Sequence, residues 1–366
     1  MPFEPKTLFP GLLADSAARL AQDAAGRYPE RPVASLTGEM GWSAVLVAEE
    51  QGGVGGNFTD LASIIEALAS HAVDLPVITR CGIVPAMLNT LHDNDRARAL
   101  LAGSADGSAV VELGGPLCPS DHVAPLSARR GPQGWQVSGA TAEMSLTEDC
   151  THVLLVCRNT GDDTPLLISV DSGSLRRQAM GFHTMDDCPV QACTLEDLAL
   201  ADRDVVASGP DAQRALQAGW RVAVACKATD IVSGMGSALA RTVQYLLERQ
   251  QFGQPLAQFQ ALRHEVARLY VTYELARNLL QASLRALQAS ASGEGDAGAF
   301  DLLGLYTGQE AILFAESVIQ LHGGMGMTRE MPAARLATRL LANACRFGDP
   351  LSHHQSLNQL RDGTLS

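Results

Sequence analysis

Two stretches of this sequence place chemistry-bearing residues where they could hold a flat, phosphorylated ligand. In Glu248–Leu269, Arg249 closes one helical run, Phe252-Gly253-Gln254-Pro255 makes a turn, and Gln260 stands in the first turns of the next helix. A guanidinium grips a diphosphate through two parallel N–H donors, and an aromatic face packs on a ring. In Gln320–Thr328 (Gln-Leu-His-Gly-Gly-Met-Gly-Met-Thr), three glycines in four positions follow the apolar run Ala311–Ile319. Such a turn reaches positive φ and lets a flat or anionic group approach the backbone, although taken alone it is also an ordinary tight turn.

Other chemistries find little footing. The run His264-Glu265-Val266-Ala267-Arg268 carries Arg268 where a zinc-protease helix needs its second histidine. No helix offers the Glu-x-x-His pairs of a di-iron bundle, and there is no Gly-x-Ser-x-Gly elbow. The glycine-rich loop Glu49–Asn57 lacks the spacing of a Rossmann phosphate loop. Gly234 and Gly236 lie inside a helical pattern, where they suit close helix contacts. The eight cysteines include no Cys-x-x-Cys; the closest pair, Cys188 and Cys193, has no histidines in a zinc spacing, so they read as reduced, buried thiols. His71, His92 and His152 read as surface or internally satisfied groups, and adjacent His353 and His354 make a poor chelate. No metal is expected.

The elements that must position these residues follow from the hydrophobic pattern. With 366 residues and 46% hydrophobic content, the chain can bury a large core in two or three layers or subdomains. From Glu4 to about Ala102 the period is helical, with Leu8, Leu12, Leu13, Ala17, Leu20 and Ala24 on one expected face. Near Gly107 the runs become short and β-rich; Gly134–Val137, Val153–Cys157 and Leu166–Val170 are the clearest strands. From Asp211 long helices return: Gln213–Arg249, a second with the stripe Leu262, Val266, Leu269, Tyr273, Ala276, Leu280 and Leu287, then Phe300–Leu321, Met331–Ala344 and Ser352–Leu360. Ser290–Gly298 is a polar break. The expected class is α+β: an N-terminal helical domain over 1–106, a middle β domain over 107–208 and a C-terminal four-helix bundle over 209–366.

The net charge of −13 argues against nucleic acid as a partner. It leaves room for one anionic ligand held by local arginines. Met1–Asp15 lacks signal-peptide features and no uninterrupted apolar run would span a bilayer, so a cytoplasmic protein acting away from membranes is expected.

Arg-x-Gln-Phe-Gly-x-Pro-Leu-x-x-Phe-Gln-x-Leu followed by Gln-Leu-His-Gly-Gly-Met-Gly-Met-Thr-x-Glu resembles the acyl-CoA dehydrogenase family. Glu49–Gly55 resembles that family's N-terminal glycine loop, and the α–β–α order matches its architecture along essentially the whole chain. The resemblance implies FAD as cofactor, an acyl-CoA substrate and electron-transfer flavoprotein as acceptor. It also implies paired subunits in which Arg249, Phe252, Gln260, Gln320, Gly323 and Gly324 reach the ADP half of the neighbour's FAD.

Two departures stand out. The family's catalytic glutamate, in Tyr-Glu-Gly-Thr, aligns with Arg346-Phe347-Gly348-Asp349, which puts Phe347 at the base position. The alternative glutamate position, on the first long helix of the bundle, corresponds to Trp220–Thr229, which contains no carboxylate. Asp349 is the nearest substitute. In the β domain, the flavin-side loop Thr-Glu-Pro-Gly-x-Gly-Ser-Asp becomes Val111–Asp121 and keeps only its end. The Trp-Ile-Thr/Ser element becomes Glu143-Met144-Ser145, where Ser145 alone could still hydrogen-bond the flavin. The expected protein is therefore one subunit of a heteromeric acyl-CoA dehydrogenase, whose homologous partner supplies the base; Phe-Gly-Asp-Pro-x-x-His resembles members acting on steroid side chains. The alternatives are a self-sufficient homo-oligomeric flavoenzyme using Asp349 and a non-catalytic subunit without FAD.

Overall fold

The computed structural model describes residues 3–28, 30, 34–117, 124–176, 181–289 and 297–362. In chain order, the helices α1 (Leu12–Gly26), α2 (Leu36–Glu39), α3 (Phe58–Ala69), α4 (Val84–Asn89) and α5 (Asp95–Asp106) come first. Strands β1 (Val111–Gly114), β2 (Leu126–Gly131), β3 (Gly134–Ala140), β4 (His152–Asn159), β5 (Pro165–Asp171), β6 (Phe182–His183), β7 (Pro189–Val190), β8 (Thr194–Leu200) and β9 (Val205–Ser208) follow. Helix α6 (Gly209–Glu248), the tiny strands β10 (Gln250–Gln251) and β11 (Gln254–Pro255), and helices α7 (Gln260–Ala289), α8 (Ala297–His322), α9 (Pro332–Ala344) and α10 (Pro350–Arg361) complete the chain. The expected α–β–α order is present. The Ser120-Asp121 end of the flavin-side loop and most of Ser290–Gly298 lie outside the described residues.

By contacts the chain falls into two units, one of Met1–Pro32, Ala62–Asp74 and Val224–Ser366, the other of Val33–Leu61 and Leu75–Ala223. This grouping divides the N-terminal helices between the units, whereas the sequence pattern sets them apart as one segment.

In the second unit, a seven-stranded sheet runs β8-β3-β2-β4-β5-β9, and β1 shares with β2 the same edge of β4. Val153–Cys157 and Leu166–Val170 are buried continuously, as central strands covered on both faces require. The thinner strand β2 alternates instead, burying Leu126 and Ala128. Gly53 in the Glu49–Asn57 loop has no room for a side chain, because a Cβ would lie 2.1 Å from the Val47 carbonyl oxygen.

In the helical unit, small residues set the spacing. A Cβ on Gly236 would press on Tyr273 of α7, and one on Gly234 would meet Leu340 of α9. Helix α6 has the length and composition of a membrane span, but 94% of its apolar window is buried within the protein. The stripe expected in α1 needs correcting. Leu8 precedes the helix and Leu12 is 90% exposed, while Ala17 and Ala21, one turn apart, are fully buried. The helix starts only after Gly11, because the chain before it is tied elsewhere: the Leu8 and Phe9 amides donate to the Glu66 carboxylate at 2.7 and 2.8 Å.

Candidate functional site

The first corner forms where α6 ends. The Arg249 amide donates to Tyr245, β10 and β11 make a two-residue-strand hairpin, and the Leu256 amide closes the loop onto the Arg249 carbonyl. Phe252 sits at its tip with φ 54° and is 90% exposed, touching Phe259 edge-on. Holding a phenylalanine there costs of order 1–2 kcal/mol, and apart from that one edge the ring stays in solvent.

The Gly-Gly turn lies at the same end of the helical unit. Tyr245 stacks on His322 at 4.6 Å and donates its hydroxyl to the His322 carbonyl at 3.3 Å. Arg268 of α7 donates to Ser317 of α8 at 2.8 Å, so the start of α7, with Gln260, and the end of α8, with Gln320, lie at the same end of the two helices. Gly323 has φ 58°, and side chains at Gly323 and Gly324 would meet nothing within 4 Å, so the outer face of the turn is open. Gly326 is the packing glycine, its Cβ position only 2.5 Å from the Ile319 carbonyl oxygen. Arg249, Phe252, Gln260, Gln320, Gly323 and Gly324 are all exposed, alongside Met325 and Met327.

The segment Arg346–Asp349 is built in the opposite way. Phe347 turns with φ 53° and Gly348 with φ 97°. The Gly348 carbonyl accepts a 2.8 Å hydrogen bond from Lys227, which is fully buried on α6. The Lys227 ammonium also lies 3.3 Å from Nε2 of His353, whose Nδ1–H donates to Asp301 at 2.9 Å, and Ser356 donates to the other Asp301 oxygen at 2.6 Å. Gly304 lets the imidazole in, since a Cβ there would lie 2.3 Å from Nε2. Cation, ring and carboxylate thus form one buried chain of contacts. Asp349, the substitute base, caps α10, accepting from the Ser352 amide and hydroxyl, both at 2.7 Å. Asp230, just past the Trp220–Thr229 stretch, is buried and held by Arg339 and Asn343.

Ser145 belongs to the sheet unit and is half-buried. Its carbonyl accepts from Arg80, at 3.4 Å. Arg80 lies in a short π-helical segment, Ile78–Ile83, and also binds Glu112 at 2.5 Å, Asp149 at 2.9 Å and Thr147. Burial pushes the Glu112 carboxyl up to about 7 against the pull of Arg80. Asp149, less buried, is held below the usual carboxylate range because hydrogen bonds from Thr147 and Arg80 outweigh its desolvation. Glu143, where a tryptophan was expected by resemblance, is exposed, and Met144 turns into the sheet's core.

The remaining expectations fare simply. Of the seven cysteines among the described residues, all but Cys345 are buried. His71 donates to Ala67 and His152 meets Thr151 and Asp171. His353 and His354 do face apart, the first buried and the second exposed. Sequence reasoning missed Lys227, Asp301 and Arg80. A lysine in the apolar run Trp220–Ala240 was the available signal, but nothing local says that its partners lie 121 and 126 residues away.

Residues 212–356 match the family described as acyl-CoA dehydrogenase, C-terminal domain. The chain is thus similar to acyl-CoA dehydrogenases, and residues 212–356 carry that family's C-terminal domain. It is 27% identical to acyl-CoA dehydrogenase FadE12 of Mycobacterium tuberculosis, over 90% of this chain and 86% of that protein. Its fold is similar to that of a steroid acyl-CoA dehydrogenase variant, Tcur3481–Tcur3483 (TM-score 0.81, 24% identity, 97% of this chain and 98% of the other). A second neighbour is the ChsE4–ChsE5 complex from Mycobacterium tuberculosis (TM-score 0.79, 15% identity, 99% and 100% covered).

FAD is the cofactor of this family. The exposed corner has groups of the kind a diphosphate and a flat ring need: the Arg249 guanidinium has no partner among the described residues, Phe252 presents an open aromatic face, and the Gly323-Gly324 backbone is unobstructed. Ser145, which the resemblance sets beside the flavin ring, has its carbonyl engaged by Arg80.

Proposed function

We propose that this chain is one subunit of a heteromeric acyl-CoA dehydrogenase that carries out α,β-desaturation of a bulky acyl-CoA of the steroid side-chain class. Arg249, Phe252, Gln260, Gln320, Gly323 and Gly324 are donated to the ADP half of an FAD cradled mainly by a homologous partner. The partner also supplies the base, and electrons leave through electron-transfer flavoprotein.

One observation carries this reading: the open corner faces outward with its groups unspent, while the turn at the base position has none to spend. Removing the α-proton of a thioester needs a base within hydrogen-bond reach. Phe347 cannot accept a proton, Lys227 is sealed between Gly348 and His353, and Asp349 is engaged as a helix cap. The chemistry that FAD supplies when bound is acceptance of a hydride from the acyl β-carbon. This chain's own part is to bind and orient. The Arg249 guanidinium neutralises diphosphate charge, Phe252 covers an apolar ring from water, and the amides of Gln260 and Gln320 offer hydrogen bonds at the rim. The two-component character of the structural neighbours supports the heteromeric form, and the steroid acyl-CoA dehydrogenase neighbour supports the substrate class.

The test is the visible spectrum. The chain purified alone is expected to be colourless, and to retain FAD when co-expressed with a homologue that has a glutamate at either base position. A chain that is yellow by itself and bleaches with an acyl-CoA would favour a self-sufficient enzyme. A co-purified complex without flavin would favour a structural subunit.

A further inference from the structure

A second charged cluster in the helical unit lies apart from the residues assigned to FAD. Arg335, on the first turn of α9, places its guanidinium 4.1 Å over the Tyr28 ring. Its Nε is buried and has no hydrogen-bond partner. Arg241, on α6, is half-buried and makes no hydrogen bond or ion pair among the described residues. Helices α6 and α9 pack together through Gly234 against Leu340 and Asp230 against Arg339; burial first, and Arg335 second, pull the Arg241 guanidinium down, while burial, helped by Arg241, holds His71 below its usual range against its bond to Ala67. The His71 ring is oriented by its Nδ1–H bond to Ala67, 3.2 Å, which leaves Nε2 uncommitted.

This bareness is unusual for the chain. Forty carboxylates outnumber 27 basic side chains. One turn further along the same helix, Arg339 is bound by Asp230 and reaches Asp74. Arg80, the other deeply buried guanidinium, has Glu112 and Asp149. Two guanidiniums left together without a carboxylate repel each other and lose hydration, a cost that an anion between them removes. Stacking on Tyr28 fixes the plane of Arg335 and leaves its N–H edge free to donate, the arrangement by which arginine recognises phosphate oxygens.

We infer that Tyr28, His71, Arg241 and Arg335 form an anion site that takes a phosphate group, either free or as a phosphomonoester. Arg241 and Arg335 supply the charge-assisted donors, Tyr28 holds one of them in plane, and the neutral His71 ring borders the site.

Calorimetric titration of the full chain with inorganic phosphate, in chloride buffer at low ionic strength, tests this. One saturable site per chain is expected, weakened about tenfold or more by Arg241→Gln or Arg335→Gln, as loss of a charge-assisted donor implies. Without phosphate, Arg241→Gln should melt no lower than the parent chain and gain less from added phosphate, because it removes a repulsion and no internal bond. Coenzyme A against dephospho-coenzyme A separates the sources: a preference for the former that Arg335→Gln abolishes identifies a phosphomonoester, and equal binding of both beside phosphate binding identifies the free anion. Absence of saturable phosphate binding overturns the assignment, as does equal binding by both variants. If Arg335→Gln fails to fold, Arg241→Gln, which breaks no contact, still decides.

Discussion

The helical unit contains two Phe-Gly turns with nearly the same backbone and opposite uses. Phe252-Gly253 turns at φ 54° and 81°, and Phe347-Gly348 at φ 53° and 97°. Each holds a bulky residue in the left-handed region, which costs of order 1–2 kcal/mol and persists only where surroundings enforce it. At Phe252 the hairpin of β10 and β11 enforces the turn, and the ring projects into solvent, 90% exposed. At Phe347 the enforcement comes from inside: Lys227 grips the Gly348 carbonyl, and His353, Asp301 and Ser356 compensate the ammonium. The first turn spends strain on display, the second on closure. Two turns of one backbone shape are thus held in opposite ways, one from a surface hairpin and one from buried groups.

The largest expected effect is at the closed turn. Lys227→Met leaves the Gly348 carbonyl and His353 Nε2 without their donor and the Asp301 carboxylate without a counter-charge. Breaking a buried charge arrangement from one side costs about 3–5 kcal/mol, and urea unfolding of the isolated chain should show a loss of that order. Adding Asp301→Asn should restore part of it, since both charges are then gone. Unchanged stability would mean that Lys227 is poised for a ligand, and the contrast between the two turns would collapse.

At the open corner the effect should be smaller and fall on FAD alone. Arg249 is exposed and makes no side-chain contact among the described residues, so Arg249→Ala should leave the unfolding midpoint of the chain in place. In a co-expressed complex it should weaken FAD retention by about 10- to 100-fold, the worth of charged hydrogen bonds of roughly 1.5–3 kcal/mol. Equal FAD content before and after the change would remove Arg249 from the cofactor contacts.

How far the sequence carried depends on the range of the interaction involved. Helix and strand periods are local, so the α–β–α order and the ends of α6 to α10 were legible to within a few residues. The Gln320–Thr328 turn was legible because its glycines announce the backbone they permit, and Phe252-Gly253-Gln254-Pro255 announced a turn, though not the two short strands that make it a hairpin. The α1 stripe failed since spacing cannot show that Glu66 captures the amides of Leu8 and Phe9 from a distant helix. Lys227 drew no reading of its own, as one charge in an apolar helical run. Its meaning rests on Gly348 and His353, more than a hundred residues away. Arg80 was overlooked for the same reason: Glu112, Ser145 and Asp149 converge on it from loops and a strand whose pairing the sequence does not display.

The smallest effect bears on whether the closed turn retains any catalytic role. Asp349 is the one carboxylate in Arg346–Asp349, and as a cap it accepts from the Ser352 amide and hydroxyl. Replacing a capping aspartate by alanine costs about 1 kcal/mol. Asp349→Ala should therefore lower the stability of the chain by that amount, and Asp349→Asn, whose side chain still caps, should lower it less. A general base is worth about 10²–10⁴ in rate, so a catalytic Asp349 would make both variants nearly inactive in a complex that still holds FAD. With a capping Asp349, acyl-CoA turnover in either variant stays within about twofold of the parent, far from the loss a base would bring. Asparagine decides between the two cases, because it preserves the hydrogen bond that the fold uses and removes the proton acceptor that the reaction would need.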